Sequence, residues 1–154
     1  MSTSADRRVR RAKDKEAVIT QLTDDGVFAT LRDALVFAAA LGYDRNTSRP
    51  IAASDEPVRW DTMVKNPYFE AIVDMICAAD PEIRPEQLGD QFLDDRLSAF
   101  EEFANGGLEI LERELRAGYG NPVDIINGLI AKAFNSNEDA DDLGLKGLAD
   151  ELVW

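Results

Sequence analysis

Apolar residues recur at steps of three and four between positions 93 and 115, and this spacing constrains the fold more than any other feature of the chain. Such steps place side chains on one face of an α-helix. Acidic residues, Glu101 and Glu109 among them, are expected on the opposite face. The segment therefore predicts a long amphipathic helix, starting near Pro85, whose apolar face is formed by Leu93, Leu97, Phe100, Ala104, Leu108, Leu111 and Leu115.

Asn105, Gly106 and Gly107 lie in the middle of this helix pattern. Two glycines cost about 2 kcal/mol of helix propensity relative to alanine. Either the helix ends there, or another part of the backbone passes too closely for a side chain to fit. The apolar spacing keeps its phase across the glycines, which favours a continuous or kinked helix with a close backbone contact. These three residues are therefore candidate interaction residues.

Two helices are predicted in the N-terminal part of the chain. The composition from Arg7 to Leu22 favours the first. Thr30 is a suitable N-cap for the second, which is apolar almost all round from Leu31 to Leu41, and Gly42 suits its C-cap. A helix that is apolar on every side should lie deep in a core.

Asn-Pro pairs mark two further helix starts, at Asn66-Pro67 and at Asn121-Pro122, because proline is favoured at the first helical position. Residues 143–153 could form a last short helix. The irregular stretch before Asn66 could contain a small hairpin around residues 49–60. The predicted fold is mainly α: a single compact multi-helix domain with that hairpin as its only extended part.

The charge of the chain is strongly acidic and unevenly placed. Its 154 residues include 17 Lys and Arg against 30 Asp and Glu, a formal net charge of -13. Residues 1–15 nevertheless contain six Lys and Arg and only two acids. This predicts a basic N-terminal arm, residues 1–15, on a single acidic helical domain, residues 16–154. The arm could contact nucleic acid or an acidic partner, or be a solvated terminus, and its candidate residues are Arg7, Arg8, Arg10 and Arg11.

The residues that most catalytic sites require are missing from the sequence. There is no histidine, and Cys77, in an apolar run, is the only cysteine. Nucleophilic triads, Cys/His zinc sites and di-iron sites with Glu-x-x-His pairs therefore have no basis here. Residues 135–146 resemble a calcium loop only superficially, because Ala140 and Lys146 occupy its glycine and bidentate-acid positions. We expect a protein that is not an enzyme and holds neither cofactor nor metal.

Arg59 and Trp60 form a second candidate contact. A tryptophan beside an arginine on a loop can anchor a partner, but it can equally close the edge of a small core. No apolar run approaches the length of a membrane span, and no secretory signal is recognisable. A cytoplasmic protein without membrane contact is expected.

Three segments together resemble a known family. They are the run from Phe28 to Tyr43, Pro57 to Trp60, and Phe103 to Leu111. In order and spacing they are similar to the DNA phosphorothioation (Dnd) system-associated proteins of the short fourth type, over about residues 20–135. The resemblance implies an accessory protein of bacterial antiviral defence, found beside sulfur modification of DNA and its restriction-modification partners. It brings no catalytic residues.

Two functional hypotheses follow. The first is a non-enzymatic accessory or regulatory protein that binds a larger protein of the same defence system, since acidic proteins associate with basic, DNA-handling partners. The second is a DNA-associating or transcription-regulating module that uses the N-terminal arm, the only part expected to contact DNA. A homo-oligomer is compatible with either hypothesis.

Overall fold

The structure is a computed structural model, and its described residues form two compact units divided between Arg116 and Ala117. The residues that it describes are 7–79, 84, 86, 92–118 and 120–135. The predicted helix at residues 143–153 and most of the loop at residues 135–146 lie outside them.

The described part of the chain is mainly helical, which confirms the predicted fold class. Two short strands form one antiparallel ribbon, and a 3-10 turn at Lys13–Lys15 precedes the first α-helix. The strands are β1 (Arg8–Val9) and β2 (Val58–Arg59). The helices are α1 (Glu16–Asp24), α2 (Leu31–Asp44), α3 (Trp60–Met63), α4 (Pro67–Ala79), α5 (Leu93–Ala117) and α6 (122–135).

The N-terminal segment is extended, and the prediction of a helix from Arg7 onward was wrong as far as Lys15. Val9 pairs with Val58, and Ala12 forms a bridge with Ser54. The side chains of Val9 and Ala12 are buried, so the segment closes part of the core as a strand. The stretch around residues 49–60 thus supplies one strand of the small sheet, and its partner comes from the N-terminus.

Side-chain caps begin the helices where the sequence predicted them. The Thr30 hydroxyl accepts a hydrogen bond from the backbone N–H of Asp33 (3.2 Å) and donates one to the Asp33 carboxylate (2.9 Å). Asn66 accepts from the N–H two residues later at the start of α4 (3.1 Å), and Asn121 does the same at α6 (2.9 Å). Each cap satisfies an N–H that the helix itself leaves unbonded.

Helix α5 is continuous through its two glycines, because its backbone lies against two other segments. A Cβ atom at Gly107 would overlap the carbonyl oxygen of Ala38 in α2, and one at Gly106 would overlap that of Thr47. A Cβ at Gly42 would likewise meet the carbonyl oxygen of Phe103. The predicted close approach is confirmed. Gly42 was wrongly predicted as a C-cap, since α2 continues to Asp44 and the residue serves the same helix crossing.

The core of the first unit forms around α2 and the apolar face of α5. Helix α2 packs against both α1 and α4, which explains why it is apolar on almost every side. The largest side chains that are almost fully enclosed are those of Phe100, Leu22, Leu35, Met63, Leu97, Leu108 and Leu111. Four of these belong to the apolar face that the sequence predicted for α5.

Cys77, which lies in an apolar run of the sequence, is inside this core. Its side chain is fully buried, and its thiol donates a hydrogen bond to the carbonyl oxygen of Arg96 (3.3 Å). We expect the folded protein to resist thiol-alkylating reagents, with labelling that follows unfolding, because the sulfur is exposed only when the core opens. Mass spectrometry of alkylation across a urea series checks this. Fast, complete labelling without urea would contradict the buried position.

Candidate interaction site on helix α5

The basic N-terminal segment lies along α5 and is bound to it by two ion pairs. Arg7 pairs with Asp94, and the Arg10 Nε atom lies 2.9 Å from the Glu101 Oε2 atom. Three residues of extended chain span about 10 Å, and seven residues of helix span about the same distance. The spacing of the two arginines therefore matches the spacing of the two acids, and the segment runs parallel to the helix.

Glu101 is the most deeply buried acid of this contact, with only 1% of its surface exposed. Its Oε2 atom accepts hydrogen bonds from both the backbone N–H (3.2 Å) and the side chain of Arg10. Its Oε1 atom is buried and has no hydrogen-bond partner among the described residues. Burial raises the pKa of the Glu101 carboxyl, and the nearby charges of Arg10 and Arg7 offset only part of that effect.

Asn105, one turn further along α5, fixes the loop that follows α2. Its Nδ2 group donates to the carbonyl oxygens of Arg49 (3.3 Å) and Pro50 (3.1 Å). The backbone N–H of Arg49 donates to the Glu102 carbonyl (2.9 Å), so the loop is bound to α5 at two adjacent turns. Asn105, Gly106 and Gly107 are all buried by these contacts.

Other basic residues of the predicted arm are also engaged inside the first unit. Arg11 pairs with Glu16 and donates from Nε to the carbonyl oxygen of Glu56 (2.9 Å). Arg8 is exposed, faces Arg59 across the ribbon, and has no ion pair within the described residues. Residues 7–15 thus belong to the first compact unit, although the sequence interpretation set them apart as an arm.

Arg59 and Trp60 are neighbours in the chain, but the first is half-exposed and the second is buried. The Arg59 guanidinium is half-exposed and pairs with the Asp61 carboxylate (2.9 Å). The Trp60 ring is buried at the start of α3, and its backbone N–H donates to the Arg7 carbonyl oxygen (2.8 Å). Trp60 therefore closes the core beneath the ribbon, which is the second of the two roles considered for it.

Two acids of α5 face solvent next to the residues that bind the N-terminal segment. Asp95 and Glu102 are exposed, lie two helical turns apart, and have no ion pair in the part of the chain that the structure describes. Glu109, seven residues further along the same helix, pairs with Arg49 (2.7 Å) and is not counted with them. We call Asp95 and Glu102 the acidic row.

Glu101 and Arg96 are the residues that sequence reasoning missed. Glu101 was assigned to the solvated face, yet it lies four positions after Leu97 and three before Ala104, which places it at the edge of the apolar stripe. Arg96 is also buried, and its guanidinium lies 3.2 Å from the Asp74 carboxylate of α4. The helical spacing of Glu101 was the one available signal.

The surface of the first unit includes a shallow groove of about 130 Å³. It lies between α1 and the end of α5, with Glu112 and Arg116 at its edge. Among the residues that the structure describes, no three acid or cysteine side chains cluster closely enough to hold a metal ion. No described helix has the length and hydropathy of a membrane span.

Comparison with known protein families identifies a family for this chain. No curated protein and no solved structure shows significant similarity to the chain. The sequence model of a family described as "DNA sulphur modification system-associated protein 4" matches residues 8–147. The match is wider than the resemblance over residues 20–135 had indicated. It begins at the first residue of β1, so it includes the described N-terminal segment except for Arg7. The chain therefore belongs to the DNA sulphur modification system-associated protein 4 family.

Proposed function

We propose that this protein is a non-enzymatic accessory protein that acts by binding a larger protein of the DNA sulphur modification system, in restriction-linked antiviral defence. Membership of the family supports its association with that system. The binding role is inferred from the distribution of charge on the first unit. The sequence, without histidine and with a single, buried cysteine, offers few of the groups that catalysis commonly uses.

The single observation that favours a protein partner is that basic residues of the N-terminal segment form ion pairs within the first unit. Arg7, Arg10 and Arg11 are paired with acids of the same unit, while the acidic row on α5 faces solvent. A chain of net charge -13 attracts basic surfaces and repels phosphate. Proteins that handle DNA present such basic surfaces, and complementary charge accelerates their association with an acidic partner.

Charge reversal of the acidic row tests this proposal. We expect the double variant Asp95→Lys/Glu102→Lys to associate with its partner at least about tenfold more slowly, because the substitutions remove the attracting charge. The partner is identified by co-purification with products of the neighbouring genes. Association is then measured by surface plasmon resonance at low and physiological salt.

Asp24→Lys/Asp25→Lys is the matched control, since it makes the same change of net charge at exposed acids at the C-terminal end of α1. This control should retain most of the association rate. Equal losses in both double variants would assign the effect to net charge and refute the role of the acidic row. Failure to co-purify any protein of the system would refute the binding function itself.

DNA binding by the N-terminal segment is the competing function, and it requires a separate measurement. The exposed basic residues Arg8 and Lys13 are the suitable positions, because they have no ion pair among the described residues. We expect neither the native chain nor Arg8→Gln/Lys13→Gln to bind duplex DNA at low salt. Binding with a steep salt dependence that these substitutions abolish would favour the DNA-associating module.

A further inference from the structure

Two buried oxygen atoms on the inner side of α5 lack hydrogen-bond partners. They are Oε1 of Glu101 and Oδ1 of Asn105, and both residues are more than nine-tenths buried. The other polar atoms of the same side chains are bonded: Oε2 of Glu101 accepts from Arg10, and Nδ2 of Asn105 donates to two carbonyl oxygens. These two donated bonds fix which end of the Asn105 amide is the oxygen.

The two residues that hold these atoms are four positions apart in α5. Residues four apart lie on the same face, with Cβ atoms about 5–6 Å apart, which a glutamate side chain can bridge. Both atoms are acceptors while the carboxyl is ionised, so they cannot bond to each other. Leaving a buried acceptor unbonded is costly. One added proton turns the pair into a donor and an acceptor.

We propose that Glu101 and Asn105 form a proton-binding pair, in which the protonated Oε1 of Glu101 donates a hydrogen bond to Oδ1 of Asn105. Oε2 continues to accept from Arg10 in both protonation states. Proton uptake thereby replaces the ion pair between the N-terminal segment and α5 with a hydrogen bond from the charged Arg10 to a neutral carboxyl. It also leaves the charge of Arg10, whose side chain is half-exposed, without its counter-charge at the protein surface.

The charged groups around the pair agree with this assignment. From the N-terminal segment, Arg10 and Arg7 act on Glu101 and favour its ionised form, but burial has the larger, opposite effect and the pKa is raised. Arg7 is itself paired with Asp94. Arg49, from the loop packed on Asn105, pairs with Glu109 on the next turns. In the described part of the chain no arginine donates a hydrogen bond to Oε1, and the buried Nε atom of Arg7 has no hydrogen-bond partner there either.

The sign of the pH dependence follows from the raised pKa. The folded state binds this proton more tightly than the unfolded state, so the stabilisation is present at acid pH and is lost as pH rises through the folded-state pKa. Glu101→Gln reproduces the protonated form, since its amide can donate to Asn105 and accept from Arg10. We expect Glu101→Gln to match the native protein at acid pH and to be at least as stable at neutral pH.

Two measurements test the proposal. Carbon-13 NMR of the Glu101 carboxyl in the native protein should titrate above the ordinary glutamate value of about 4.3. Urea unfolding across the same pH range should show the difference between native and Glu101→Gln growing with pH. The exposed neighbour Glu102→Gln is the matched control and should show no comparable trend.

A double-mutant cycle of Glu101→Gln with Asn105→Leu identifies the partner. Because Glu101→Gln mimics the protonated form, the coupling energy between positions 101 and 105 in this cycle should be near zero at acid pH and should grow as the pH rises through the titration of Glu101. Coupling that does not change with pH would refute the role of Asn105. A Glu101 titration at or below the ordinary value, or a Glu101→Gln variant less stable than the native protein only at neutral pH, would show an ordinary ion pair with Arg10.

Discussion

Replacing Gly107 with alanine is expected to destabilise the first unit by about 3 kcal/mol, at the upper end of what overpacking costs. The added Cβ would overlap the carbonyl oxygen of Ala38, and backbone atoms at a helix crossing cannot move aside as a flexible side chain can. Relief requires α2 and α5 to separate, which opens the core around Phe100 and Leu108. Urea unfolding followed by circular dichroism measures the loss.

Gly128→Ala is the matched control for this substitution. Gly128 is also inside a helix, α6, but an added Cβ there has no neighbouring atom within 4 Å. Alanine should therefore stabilise that helix by about 0.5–1 kcal/mol, through its better helix propensity. An unchanged unfolding midpoint for Gly107→Ala would contradict the close crossing of α2 and α5.

Deletion of residues 1–15 is expected to cost about 4 kcal/mol or more. Burial of a side chain the size of Val9 contributes about 1.5–3 kcal/mol. Deletion also removes the ion pair and the hydrogen bonds that Glu101 makes with Arg10. Because the same deletion uncovers the Glu101 carboxyl, this loss is smaller than the roughly 3–5 kcal/mol that breaking a pair costs when the remaining charge stays buried. The ribbon with β2 is lost as well. Denaturant unfolding of the shortened chain measures the total.

The paired substitution Arg8→Gln/Lys13→Gln provides the comparison, because both residues are exposed. Its stability should stay within about 0.5 kcal/mol of the native protein. A deletion that unfolds at the native midpoint would show that the segment contributes nothing to the fold. If the expected loss is found, the deletion cannot be used to test DNA binding, since loss of structure and loss of a contact would have the same effect.

Features encoded by neighbouring residues were predictable from the sequence. The caps Thr30, Asn66 and Asn121 each bond to an N–H within three residues, so a short window contains the whole interaction. The apolar face of α5 was evident from helical spacing. For Gly106 and Gly107 the sequence left two alternatives, and the unbroken apolar spacing favoured the close approach that the structure shows. The resemblance of three segments identified the family.

Features that depend on distant partners were not predictable in the same way. The composition from Arg7 onward favours a helix, and only pairing with Val58 and burial of Val9 make that segment a strand. From the sequence alone Glu101 is grouped with the acidic face of α5, because the sequence does not show that Arg10 lies against it. Helical spacing alone could place Glu101 at the edge of the core, but it could not reveal the oxygen that lacks a partner.

The contact between Arg10 and Glu101 also limits how early the first unit can fold while the chain is being synthesised. The two residues are 91 positions apart in the chain. Ribosomes add about 5–20 residues per second, so Glu101 is made about 5–18 s after Arg10. Throughout that interval the early segment has no helix to bind, and its exposed apolar residues are accessible to chaperones. The first unit therefore cannot finish folding until Glu101 has been synthesised.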